Sequence, residues 1–160
     1  MGEADRAYGC ALNYLEKRDR TEKEISDKLT GIGFSESVVL QTLDRLKEAG
    51  LVNDQDYAVR YMEVLAGKGR GRLRIMSEMR RKGLDEELVK NTLEDEELAS
   101  DELARAREQA KKTWDAISDK SDIRKALAKV NRKLVMLGYS YDIIGEVVSG
   151  LRNATGEDED

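Results

Sequence analysis

A turn centred on glycine recurs three times along this chain of 160 residues. The three glycines are Gly33, Gly83 and Gly138, and similar distances separate them. An apolar residue follows each glycine, and a Ser or Asp, the residue types that open helices, comes next. Glycine readily adopts the left-handed conformation that ends a helix. The repeat therefore predicts three helix–turn–helix motifs.

Apolar residues flank each turn at spacings of three and four positions, which is typical of one face of a helix. They occupy matching positions in three aligned segments, which run from Ile25 to Leu43, from Ile75 to Leu93 and from Val130 to Val148. The chain before each segment has room for one further helix. The candidates are Ala4 to Glu16, Asp54 to Leu65 and Leu98 to Thr113.

The repeats predict an all-α fold with nine helices, arranged as an elongated tandem array of three three-helix repeats. We expect repeat 1 at residues 1–52, repeat 2 at 53–95 and repeat 3 at 96–152. Residues 153–160 are acidic and are expected to form a disordered tail. The chain contains no proline, which agrees with long helices.

Composition excludes several classes of function. The absence of histidine removes imidazole acid–base catalysis and histidine-ligated metals. Cys10 is the single cysteine, so the chain can form no internal disulfide and no CxxC metal site. No apolar run is long enough to span a membrane. We therefore expect a monomeric cytoplasmic protein that is not an enzyme and needs no cofactor or metal.

The net charge of −5 hides a strong segregation of charge. A first basic patch accompanies the second turn, and Gly67, Gly69 and Gly71 are expected to make a flexible lead-in to it. Its members are Lys68, Arg70, Arg72, Arg74, Arg80, Arg81 and Lys82. A second basic patch precedes the third turn, and its members are Arg124, Lys125, Lys129, Arg132 and Lys133. Arginine suits both carboxylates and phosphates, so the first patch is the primary candidate for binding a partner. Asp119 and Asp122 lie near the second patch and offer it ordinary ion pairs.

Three stretches of the chain, at residues 11–25, 50–58 and 68–84, resemble motifs of the RecX family of bacterial regulators of the RecA recombinase. Ala11 to Ile25 is similar to the family's opening AL-x-x-L-x-x-R-x-x-[ST]-x-x-E-[LI]. Gly50 to Ala58 is similar to its G-x-[LIV]-[ND]-D-x-x-[FY]-A motif. Lys68 to Leu84 resembles its G-x-x-[RK]-[IL]-x-x-E-L-x-x-K-G-[IV] motif. The first and third turns depart from the family pattern because Ile32 and Leu137 stand where a basic residue is usual.

The resemblance implies a protein that binds the RecA–DNA filament and inhibits its ATPase, co-protease and strand-exchange activities. RecA filaments and single- or double-stranded DNA are then the expected partners. A helix–turn–helix transcriptional regulator is the alternative, because three such motifs are present. Acidic residues open the helices after each turn, and they disfavour this alternative because they repel phosphate. These residues include Glu36, Glu86 and Asp142.

Overall fold

The structure is a computed structural model that describes residues 2–94 and 101–156. In these residues it contains nine α-helices and no strand, which confirms the predicted all-α fold. The helices are α1 (Glu3–Lys17), α2 (Glu22–Ile32), α3 (Glu36–Glu48), α4 (Asp54–Gly67), α5 (Arg72–Arg81), α6 (Glu86–Leu93), α7 (Glu102–Asp115), α8 (Ile123–Leu137) and α9 (Tyr141–Ala154).

The three predicted turns share one geometry. Gly33, Gly83 and Gly138 have φ angles of 114°, 81° and 93°, in the left-handed region. The amide after each glycine donates to the carbonyl five residues before it, as in a Schellman motif. These bonds run from Phe34 to Leu29 (3.2 Å), from Leu84 to Met79 (3.2 Å) and from Tyr139 to Leu134 (3.1 Å). The predicted helix ends are therefore confirmed.

Side-chain caps fix the beginnings of several helices. Ser35 and Ser140 each accept a 3.4 Å hydrogen bond from an amide in the first turn of the following helix. Thr21 and Glu24 form the reciprocal capping box at the start of α2. Burial alone would raise the pKa of Glu24, but hydrogen bonds from the Thr21 amide and the Arg18 guanidinium together lower that pKa. These caps make the beginnings of α2, α3 and α9 a local property of the sequence.

Two compact units divide the chain. One comprises Met1–Tyr61 and Met79–Lys90, and the other comprises Met62–Glu78 and Asn91–Asp160. Helices α4 and α5 each contribute residues to both units. The three predicted repeat boundaries, at 52, 95 and 152, stay a prediction.

Helices α1, α2 and α3 pack together in the first unit. Their shared core contains buried residues from all three helices, with Phe34 packed against it. This core is made of Ala11, Ile25, Leu29, Val39, Leu43 and Leu46, together with Val52.

Helices α7, α8 and α9 pack together in the second unit. The buried side of α8 forms the centre of this core, where Val130 and Leu134 are fully enclosed. Tyr139, the residue after the third closing glycine, is buried in the same core. Both units therefore bury the apolar helix faces that the sequence predicts.

Two boundaries differ from expectation. The predicted disordered tail begins too early, because α9 continues through Asn153 and Ala154. The remainder of that tail, 157–160, lies outside the described residues. Helix α7 begins at Glu102, and Leu98, where the helix was expected to begin, also lies outside them. Gly156, whose φ is 76°, follows the end of α9 and is the local signal that the predicted tail boundary did not use.

Replacing two of the closing glycines by alanine separates backbone strain from crowding. At Gly33 an added Cβ meets no atom within 4 Å. We therefore expect Gly33→Ala to lower the free energy of unfolding by about 1 kcal/mol, which is the strain of the left-handed backbone alone. At Gly138 the Cβ would also lie 2.5 Å from the Arg74 backbone nitrogen. We expect Gly138→Ala to lower the free energy of unfolding by about 3 kcal/mol, since crowding adds to strain. Urea titration measures both losses, and equal losses would contradict this packing.

Candidate interaction surface

The start of the first basic patch is anchored to the end of α8, within the second unit. The Gly71 amide donates to the Leu137 carbonyl at 2.8 Å, and the Leu73 amide donates to the Gly138 carbonyl at 2.9 Å. Unpaired amides at the start of one helix thus satisfy unpaired carbonyls at the end of another. The favourable ends of the two helix dipoles also meet here.

The expected flexible lead-in is therefore wrong. Gly69 and Gly71 are buried, and Gly69 has a φ of 80°. A Cβ on Gly71 would lie 2.5 Å from the carbonyl carbon and oxygen of Gly138. Glycine is needed at position 71 because two backbone segments approach closely, and this reason is invisible in the local sequence.

A buried tyrosine also fixes the glycine-rich segment. The Tyr139 hydroxyl donates to the Gly69 carbonyl at 2.6 Å. Burial raises the pKa of Tyr139, and this effect is larger than the opposite effect of Arg105. The hydroxyl therefore stays protonated and can donate. The residue that closes the third turn thus also holds the segment that precedes α5.

Arg72 has a structural role within the second unit. Its side chain donates from Nη1 to the Leu93 carbonyl at 3.3 Å, at the end of α6. Its backbone amide donates to Oε1 of Glu102 at 3.1 Å. Since Arg72 is half-buried and already engaged, it is a poor candidate for contacting a partner.

Three further members of the first patch form ion pairs. Arg74 pairs with Glu78 at 3.2 Å, and Arg80 pairs with Glu86 at 2.6 Å. Lys82 lies 3.8 Å from Glu24 in the first unit. Glu78 lies within the basic stretch, but Glu24 and Glu86 lie outside it, so the stretch alone does not reveal the pairs of Arg80 and Lys82. Only the Arg80–Glu86 pair is exposed on both sides, and such a pair is weak enough for a partner to displace.

Lys68, Arg70 and Arg81 complete the first patch. Lys68 and Arg81 are exposed, and Arg70 is half-buried. Neither Lys68 nor Arg70 forms an ion pair with any acid in residues 2–94 or 101–156. Together with Arg74, they form the part of the patch in the second unit that is accessible to a partner.

The second basic patch lies entirely on α8. Four of its five members are exposed, and Lys133 is half-buried. Within the described part of the chain none of the five forms an ion pair. This patch is thus less neutralised than the first, although the sequence ranked it second.

The aromatic residues divide into core and surface. Tyr57 is buried and Tyr61 is half-buried, with ring centroids 5.6 Å apart, as expected of core residues. Tyr141, by contrast, is 85% exposed at the first position of α9. The sequence analysis did not predict the exposure of Tyr141, because this residue directly follows the capping Ser140 and was interpreted as part of the turn.

The described residues contain no cluster of three acidic or cysteine side chains that could hold a metal ion. Across the same residues, no helix combines the length and the apolarity that crossing a bilayer requires.

Comparison with known proteins identifies the family. The family model described as RecX, first three-helix domain, matches residues 7–46, and that of the second three-helix domain matches residues 53–93. A regulatory protein RecX from Mycobacterium sp. (strain JLS) is 36% identical over 153 residues, which cover 91% of this chain and 81% of the relative. This chain belongs to the RecX family. Each of the two matched models describes a three-helix domain.

Other members of the RecX family agree with this assignment. A regulatory protein RecX from Clostridium perfringens (strain SM101 / Type A) is 35% identical, over 89% of this chain and 67% of the relative. The crystal structure of RecX from Lactobacillus salivarius superposes with a TM-score of 0.81 and 27% identity, covering 94% of this chain and 97% of that one. The RecX relatives are named regulatory proteins, and a regulatory role follows for this chain.

Replacing Gly71 by alanine tests whether the start of the first patch is anchored. We expect Gly71→Ala to lower the free energy of unfolding by about 2 kcal/mol, because backbone atoms block the added Cβ. Gly67→Ala is the matched control, since its Cβ meets no atom within 4 Å at the end of α4. Alanine there should leave stability unchanged or raise it by about 0.5 kcal/mol. Chemical denaturation measures both changes in the free energy of unfolding. If Gly71→Ala raises this free energy, the segment before α5 is a flexible lead-in and the anchored geometry is wrong.

Proposed function

We propose that this chain binds the RecA–DNA filament and inhibits its ATPase, co-protease and strand-exchange activities. Membership of the RecX family over 91% of the chain carries this proposal. The site of action is the cytoplasm, where the protein acts as a monomer. Inhibition needs no chemistry from this chain, since a ligand that binds one filament state more tightly than another shifts the balance between them.

Lys68, Arg70 and Arg74 are the residues proposed to contact the filament from the second unit. Lys68 and Arg70 are without acidic partners among the described residues, and the Arg74 side chain is 45% exposed although it pairs with Glu78. Anchoring of Gly71 and Leu73 would hold these side chains in place before binding. Such preorganisation reduces the entropy lost on association.

Arg80, Arg81 and Lys82 are proposed to contact the same filament from the first unit. Arg80 carries a bidentate pair with Glu86, at 2.6 and 3.2 Å, so its contribution requires exchange of that partner. Two contact regions on one chain strengthen binding, because the second contact forms at high effective concentration.

A helix–turn–helix regulator that reads duplex DNA is the second candidate function. The three turns favour it, but the exposed residues that open α6 and α9 do not. Glu86, Glu87 and Asp142 are all exposed at those positions. Carboxylates there would face the phosphates or base edges of the groove that such a helix must enter.

Removing three charges from the first patch tests the proposal. A triple variant, Lys68→Gln, Arg70→Gln and Arg74→Gln, leaves Arg72 intact because that side chain supports the fold. Wild-type protein should slow ATP hydrolysis by RecA on single-stranded DNA. The triple variant should need about tenfold more protein for half-inhibition, a loss of about 1.4 kcal/mol in binding.

The matched control removes the same charge at exposed positions of the first unit, through Lys17→Gln, Lys28→Gln and Arg60→Gln. The control should inhibit as the wild type does. Full inhibition by the Lys68 triple variant would show that this surface is not the one used. If wild-type protein has no effect at stoichiometric amounts, the inhibitory function itself is wrong and the duplex-reading alternative gains support.

A further inference from the structure

A groove of about 340 Å³ lies between α2 and α3 in the first unit. Ser26 and Thr30 line it from α2, and the lining from the turn and α3 is largely apolar. Val39 is buried there, Phe34 packs against the core, and Leu40 is 56% exposed. Covering a large aliphatic side chain that is this exposed favours binding, because apolar surface leaves water. The groove is therefore a candidate contact surface that neither basic patch includes.

Two acids flank Leu40 on the same side of α3. Glu36, Leu40 and Asp44 follow one another at spacings of four residues, so they form one row along the helix. All three are exposed, and Glu36 also lines the groove. At a rise of 1.5 Å per residue, this row is about 12 Å long. An apolar side chain thus lies between two carboxylates, each one turn away.

The bases of α3 leave both carboxylates of this row without an ion pair. Glu36 and Asp44 pair with no base among residues 2–94 and 101–156. Lys47 lies three residues beyond Asp44, but it pairs with Glu22 at 3.0 Å, which raises the pKa of Lys47. The Arg45 guanidinium lies over an aromatic ring of α1. The row therefore keeps negative charge that a partner can neutralise.

The order acid, apolar, acid specifies the chemistry of that partner. A protein helix that carries a base, an aliphatic residue and a base at the same spacing presents complementary groups over the same length. Its aliphatic side chain would lie against Leu40 and the groove, and its bases would meet Glu36 and Asp44. Nucleic acid does not fit, because its phosphates would face two carboxylates.

We propose that the groove between α2 and α3 binds a helical protein segment with the pattern Lys-x-x-x-Leu-x-x-x-Lys, or with arginine in place of either lysine. Leu40 is the apolar contact, and Glu36 and Asp44 are the charge partners. This surface differs from the two basic patches in the sign of its charge, and it binds without RecA or DNA. It therefore goes beyond the proposed function and does not rest on it.

Fluorescence anisotropy with labelled synthetic peptides tests the groove on the full chain, in the absence of RecA. The probe is an alanine-rich helical peptide of about 20 residues that contains Lys-x-x-x-Leu-x-x-x-Lys, and a second peptide has glutamate in place of both lysines. The lysine peptide should bind saturably and at least tenfold more tightly than the glutamate peptide, because like charges repel. Equal affinity for the two peptides, or no binding of the lysine peptide, would overturn the proposal.

Two variants assign the contacts. Leu40→Ala should weaken binding of the lysine peptide about fivefold, because less apolar surface is covered, and should leave the salt dependence of the affinity unchanged. Glu36→Gln combined with Asp44→Asn should weaken binding about fivefold and should reduce that salt dependence. Circular dichroism should show unchanged helicity, since the changed side chains are exposed. Unchanged affinity in either variant would contradict the proposed contacts.

Controls change similar side chains elsewhere in the first unit. Val59→Ala, at a side chain 44% exposed on α4, matches Leu40→Ala, and Glu16→Gln combined with Glu87→Gln matches the charge change. Both controls should bind as the wild type does, and losses equal to those of the groove variants would overturn the proposal. Sedimentation without peptide identifies a different occupant. A dimer that Leu40→Ala dissociates would assign the groove to a second copy of the chain.

Discussion

The hydrogen bonds from the Gly71 and Leu73 amides to the Leu137 and Gly138 carbonyls fix the beginning of α5 within the second unit. They join the beginning of α5 to the turn at Gly138, and they require that residue 71 have no side chain. Each helix end supplies what the other lacks, amides on one side and carbonyls on the other. Because this junction is fixed, the basic residues on either side of Gly71 begin from defined positions instead of a mobile loop.

The same packing gives the two basic patches different characters. In the first patch, ion pairs engage Arg74, Arg80 and Lys82, and Arg72 is bonded to the Leu93 carbonyl. Next to α8, Asp119 and Asp122 accept hydrogen bonds from backbone amides, and within the described residues no α8 cation forms an ion pair.

The turns could be predicted from the sequence because their causes are local. Each closing glycine, with the apolar and capping residues after it, specifies a Schellman turn without help from the rest of the chain. The role of Gly71 could not be predicted, because a glycine kept for close backbone approach looks the same as one kept for flexibility. The neutralisation of Lys82 by Glu24 was also hidden, since folding brings together residues distant in sequence. The exposure of Tyr141 likewise depends on tertiary packing.

Amide hydrogen exchange at Gly71 and Leu73 tests the anchored junction most directly. Neither amide has a hydrogen-bond partner within α5, because the first amides of a helix lack intrahelical acceptors. Their protection must therefore come from the bonds to the Leu137 and Gly138 carbonyls. The account predicts protection comparable to that of amides in the middle of α8, such as Val130. Exchange of Gly71 and Leu73 at the rate of an unstructured chain would contradict it.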